Sequence, residues 1–178
     1  MSHYRAFVIT CMFLAELSAP SSANDSSVQP DLNNAEVKAA FEAFGRGNYS
    51  EASAAFERML VRDPQNIDLL VNLGATQIRA KRYQSAITHL NAALKIRSDY
   101  VPALLALGQL KYATQQYQEG MLVLKQAVQL DPKNASAHYM LAQTAAALGL
   151  DDVHKKALSR ASELDPSLVE DTHPKIRF

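Results

Sequence analysis

The chain contains a single cysteine and no tryptophan among its 178 residues. Cys11 sits inside the apolar amino-terminal stretch, so no disulfide can staple the remainder and a small disulfide-built domain is excluded. Neither sign of charge is in excess: 18 Lys and Arg stand against 18 Asp and Glu. A nucleic-acid binder needs a basic stripe to neutralise phosphates, and the densest basic pairs, Lys81-Arg82 and Lys155-Lys156, read as solvated surface, so no nucleic-acid partner is expected. The five histidines lack metal-ligand spacing, and no Gly-rich phosphate loop or nucleophile elbow occurs. His138 and His154 fall in the same unit on different helices, where they could approach one another, but a metal site needs further ligands and none is identified. An enzyme reading therefore has no residues to rest on, and neither cofactor nor metal is expected.

Long apolar runs are also missing. Ala6 to Ala15 is about half the length of about 20 residues that a bilayer-spanning helix needs. With Arg5 before it and the small residues Ser18 to Ala23 after it, this stretch reads as a secretory signal peptide over 1–23, cleaved after Ala23. The mature protein is then exported, to the periplasm of a bacterium, with no stable membrane insertion. The alternatives are a retained anchor or a short helix packed on the rest of the chain. Residues 24–32 are polar and Ser-rich and read as a flexible leader, after which Asn33 and Glu36 have the spacing of a helix capping box.

What is present is a repeat. Asp63-Pro64, Ser98-Asp99, Asp131-Pro132 and Asp165-Pro166 recur at a step of about 34 residues, the period of a stacked helix-turn-helix unit. Between these stops the same residue types return in phase: Gly47, Tyr49, Ala52 and Phe56; then Leu73, Gly74, Tyr83, Ala86 and Leu90; then Leu107, Gly108, Tyr117, Gly120 and Leu124; then Ala142, Gly149, Leu158 and Ala161. Gly74 and Gly108 follow Leu70 and Leu104 by one helical turn, which lets a second helix approach the bare backbone. The prolines punctuate, lacking a donor and crowding the preceding turn. In the second unit Ser98 replaces proline, so the break there is assigned to capping by Ser98-Asp99.

Over residues 33–168 this pattern resembles the tetratricopeptide repeat family. The implied fold is all-α, an α-solenoid of four helix-turn-helix repeats spanning 33–66, 67–100, 101–134 and 135–168, with a tail over 169–178. Helix pairs are predicted over 34–46 and 49–62, 67–80 and 83–96, 101–114 and 117–130, 135–148 and 151–164. Short connections make neighbouring helices antiparallel.

The resemblance implies a noncatalytic protein-binding module or scaffold whose partner is another protein. Its groove lines the second apolar face of each first helix, a face with more to bury than the partner helix covers. Carried over residue by residue, that groove is Val37, Phe41 and Phe44; Val71, Asn72, Ala75, Ile78 and Arg79; Leu105, Gln109 and Tyr112; Tyr139, Gln143 and Ala146. The competing reading packs these apolar residues between adjacent units. The carboxylate clamp of some relatives requires basic and amide residues where this chain has Val37, Phe41, Asn72, Pro102 and Ala106. Only Asn72 fits, which excludes a receptor of that kind for chaperone tails.

The fourth unit departs from the pattern, with Asp151 in place of Tyr49, Tyr83 and Tyr117, and His154 in place of Ala52, Ala86 and Gly120. The chain after Pro166 is too short for a full capping helix. The end of the stack is therefore expected to be covered by Leu168, Ile176 or Phe178, or by another chain, giving a homo-oligomer through the last repeat. A self-assembling structural component is the alternative function.

Overall fold

A computed structural model describes residues 35–170. The signal peptide, the leader, Asn33 of the expected capping box, Ile176 and Phe178 lie outside the described residues. Among the described residues the chain is entirely helical: α1 Ala35–Gly45, α2 Tyr49–Arg62, α3 Ile67–Arg79, α4 Tyr83–Ile96, α5 Val101–Ala113, α6 Tyr117–Leu130, α7 Ala135–Ala147, α8 Asp151–Leu164 and the single turn α9 Ser167–Glu170. These are four helix pairs in the expected places. First helices stop one residue earlier than the spacing predicts, because their last turns close into a different structure.

Each turn inside a pair is a Schellman motif. A backbone amide reaches back five residues, Asn48 to Ala43 O at 2.9 Å, Arg82 to Gln77 O at 2.8 Å, Gln116 to Lys111 O at 2.8 Å and Leu150 to Ala145 O at 2.9 Å. These bonds satisfy carbonyls that the helix end leaves orphaned. The motif needs one residue at positive φ, and that residue is Gly47 at 78°, Lys81 at 60°, Gln115 at 61° and Gly149 at 69°.

Turns between pairs are built from side chains. Asn66 accepts from the Leu69 amide at 3.1 Å and its own amide meets Asp63 at 3.0 Å. One period of two units later, Asn134 accepts from Ala137 at 3.0 Å and meets Asp131 at 3.2 Å. The corresponding pair between units two and three is Arg97 and Tyr100. Capping there by Ser98-Asp99 is not what forms. Tyr100 is the N-cap and its side chain makes no capping bond; instead Arg97 stacks 4.1 Å from its ring centroid, and its hydroxyl donates to the Asp68 carboxylate at the start of α3. Burial, and then that hydrogen bond, pushes the phenol above its ordinary pKa.

Glycine sets the distance within the middle pairs. A Cβ on Gly74 would lie 2.7 Å from Leu90 Cδ2, and one on Gly108 would lie 2.6 Å from Leu124 Cδ2. Both leucines are fully buried, so neither helix has room to yield. The expected close approach is therefore present at both glycines.

Units then join through two sets of contacts. Each second helix packs on the next first helix, and α3 also packs on α5, and α5 on α7. Leu60 packs against the cluster of the second unit and Leu94 against that of the third and fourth. The same register gives Val128 in α6 and then Ser162 in α8. The last unit thus carries a hydroxyl where earlier ones carry the apolar residue that reaches the next unit. Beyond it, α9 lies on α7 and α8 with Leu168 buried, as expected of an anchor.

Candidate functional site

On α5 each face can be assigned from what it touches. Gly108 and Leu104 face α6, while Ala103, Ala106 and Leu110 belong to the cluster of unit two. Leu105 enters the cluster that contains Ala137, Met140 and Leu141 of unit four. At about 100° per residue, the arc left over holds Pro102, Gln109 and Ala113. Equivalent steps give Asp68, Ala75 and Arg79 on α3, and Ser136, Gln143 and Ala147 on α7. These residues, half-buried or exposed, form one inner surface across consecutive first helices.

The expected groove is therefore divided. Phe41, Asn72, Arg79, Gln109, Tyr112, Tyr139 and Gln143 are all half-buried on the first helices, as is Ala75, and Ala146 is exposed. Val37, Phe44, Val71, Ile78 and Leu105 are not groove residues: each retains at most 7% of its surface. The physical reason is that the second apolar face of a first helix is covered by the following unit. Val37 and Phe44 share a cluster with Leu69 and Leu73, and Val71 and Ile78 share one with Ala103, Ala106 and Leu110. Packing between units thus accounts for these five residues.

The remaining aromatics are braced from below. Phe41 meets Phe56 edge-on with centroids 5.6 Å apart, and Tyr112 meets Tyr117 at 5.4 Å. The Arg79 guanidinium lies 5.8 Å from the Tyr49 ring centroid and donates to its hydroxyl at 3.3 Å. Lys111 looks the other way, to Glu119 at 2.7 Å and Gln116 at 3.1 Å. The expected basic pairs Lys81-Arg82 and Lys155-Lys156 are exposed.

Sequence reasoning missed Asp68, Pro102 and Ser136 on the inner arc. The signal was available, since the three stand at one repeat step from each other, but none belongs to the apolar pattern used to find the groove. At the positions expected of a carboxylate clamp, Val37 and Ala106 are buried, leaving no cationic side chain there.

The three histidines among the described residues are engaged singly. His89 Nδ1 lies 2.9 Å from Ser85 O and 3.0 Å from Gln77 Oε1, His138 Nε2 donates to Pro132 O at 3.1 Å, and His154 Nδ1 donates to Ala142 O at 3.0 Å. No group of three metal-ligating side chains occurs among the described residues. None of the described helices is long and apolar enough to cross a membrane.

Comparison with known proteins agrees with this architecture. A family model described as the middle TPR-like domain of cilia and flagella-associated protein 70 matches residues 35–169. The human cilia- and flagella-associated protein 70 is 29% identical over 102 residues, 57% of this chain but 9% of its own length. The chain thus spans a small part of that relative. Among solved structures, TTC0263, a thermophilic TPR protein of Thermus thermophilus, superimposes with a TM-score of 0.71 at 21% identity, over 76% of this chain and 77% of that one. The first TPR of Spaghetti (RPAP3), bound to the HSP90 peptide SRMEEVD, does so with a TM-score of 0.59 at 23% identity, over 70% and 99%. With a helix-turn-helix step of about 34 residues, a Schellman turn in every unit and a family match over nearly all of the described residues, the chain belongs to the tetratricopeptide repeat family.

Proposed function

We propose that this chain is a noncatalytic protein-interaction module whose inner surface binds a segment of another protein. The observation that carries this reading is the pair of half-buried Gln109 and Gln143 at equivalent inner positions, each with a half-buried tyrosine one turn away, Tyr112 and Tyr139, on first helices that pack side by side. Such a surface combines aromatic area at low entropic cost with amides able to pair a peptide backbone. The likeness to a repeat solved with a bound peptide supports the mode of binding, and the absence of clamp residues separates this chain from that peptide's acidic chemistry. The reading includes export: the charged start, short apolar run and small residues before Asn24 motivate cleavage there, and an intact mass retaining residues 1–23 in protein from the native host would refute it.

The binding reading is tested by placing a photo-crosslinking amino acid at Tyr139, and at Lys125 on α6 as control. Crosslinks to one partner at Tyr139, lost in the Tyr112→Ala background while the helical melt is kept, are expected. Equal capture at both positions would move the site off the inner surface.

A further inference from the structure

The inner surface is not chemically uniform along the stack. On its inner arc α3 carries the charged Asp68 and Arg79. In contrast, α7 carries no Asp, Glu, Lys or Arg, and the only one on α5 is Lys111, already bound by Glu119 and Gln116. The inner surface of units three and four is therefore uncharged, made of amide, phenol, hydroxyl, pyrrolidine and methyl groups. Among the described residues neither the Gln109 nor the Gln143 carboxamide makes a hydrogen bond, whereas Gln77 is met by His89 and Gln116 by Lys111 and Thr114. Two half-buried amides at equivalent positions thus keep their donors and acceptors unused.

Their spacing selects a ligand conformation. Because α5 and α7 pack side by side, equivalent residues on them recur at the interaxial distance of packed helices, roughly 8–10 Å. An extended strand presents the same face every second residue, about 6.6 Å apart, which is out of step with that spacing. A polyproline II segment presents the same face every third residue, about 9.3 Å apart, which is in step. Its backbone has no internal hydrogen bonds, so one carbonyl per turn is open to each glutamine Nε2–H. The rings of Tyr112 and Tyr139 suit pyrrolidine side chains, as aromatic-lined grooves do for such segments. A charged side chain laid here would lose hydration against a surface with no counter-charge to return it.

We propose that units three and four bind an uncharged, proline-containing segment of a partner protein in the polyproline II conformation, with Gln109 and Gln143 donating to carbonyls one turn apart. The proposal rests on the inner surface being the binding surface, and it adds the chemistry of the occupant.

The test is selection of a displayed random dodecamer library on the full chain, followed by anisotropy with the best fluorescein-labelled peptide. Winners rich in proline and free of charge are expected, with affinity changing less than about twofold between about 0.05 and 0.5 M salt. The Gln109→Ala, Gln143→Ala double variant should weaken binding by about tenfold or more with its thermal melt retained. Lys38→Ala with Arg79→Ala should leave binding in place. Charged winners whose affinity collapses in salt but still depends on Gln109 and Gln143 would overturn the proposed occupant and leave the inner surface standing. No winners, or winners indifferent to every inner-surface substitution, would overturn both.

Discussion

The two middle units and the two outer units spend glycine differently. At the closest helix contact the middle units have Gly74 and Gly108, the outer ones Ala40 and Ala142. At the left-handed turn position the order reverses: Lys81 and Gln115 in the middle, Gly47 and Gly149 outside. No unit has glycine at both. The two sites call on different properties of the same residue, missing bulk at the first and access to positive φ at the second. In the middle units Leu90 and Leu124 fill the space where a Cβ would be. In unit four, Ala142 instead offers its carbonyl to His154, and Leu158 is only half-buried.

The strongest way to break this comparison is to remove the close approach. Gly108→Leu must push against a Leu124 that has no exposed surface, and overpacking should cost about 3 kcal/mol. Adding Leu124→Ala should recover part of the loss, since the two changes share one space. The same pairing at the outer contact, Ala142→Leu with Leu158→Ala, should show a smaller first loss because Leu158 can move outward. Thermal melts of the four proteins decide it, and equal losses at 108 and 142 would show that the middle contact is not special.

A smaller effect of opposite sign is expected at the turns. Lys81→Gly and Gln115→Gly relieve a left-handed backbone, which costs a residue with Cβ about 1 kcal/mol, partly offset by the greater freedom of glycine in the unfolded chain. A net gain of about 0.5 kcal/mol each is expected, and Gly149→Ala should lose about 1 kcal/mol. Denaturation midpoints would sharpen the contrast. A loss at Lys81→Gly would mean that its side chain contributes more than its backbone costs.

The helix pairs and the glycine contact were legible in the sequence because proline stops and small residues recur in phase, and phase survives substitution at any one position. The strain at Lys81 and Gln115 was hidden: nothing in a lysine or glutamine announces a left-handed backbone, although a repeat step from Gly47 passes through both to Gly149. The groove was half legible. Two apolar faces on a first helix do mean more than one partner, but the second partner of Val71 and Leu105 is the next unit. Periodicity reports that a face is covered and is silent on whether the cover is the same chain or another. The amide positions Gln109 and Gln143 were found because the resemblance supplied them, not because the apolar pattern did.

The smallest predicted effect lies where an outer unit replaces apolar packing by charge. At the register where the middle units bury Leu70 and Leu104, units one and four have Glu36 and His138. Glu36 joins α1 to α2 by pairing with Arg62 and, at 3.5 Å, with Arg58. The hydrogen bond from Arg62, followed by its charge and by Arg58, outweighs burial and holds the Glu36 carboxyl below its ordinary value. A lowered folded pKa places the stabilisation above the unfolded value, near about 4.3. It is then lost as pH falls through the lowered folded value. Acid should therefore loosen α1 on α2 before it affects the glycine-packed middle pairs, by a small and salt-screened amount. Amide hydrogen exchange from neutral pH down to about pH 3 would read it residue by residue. Glu36→Gln should remove the extra acid sensitivity of α1, and Glu36→Leu, restoring the middle-unit residue, should make α1 behave like α3. If α1 loosens equally in the wild type and Glu36→Gln, the ion pair is not what joins the first unit.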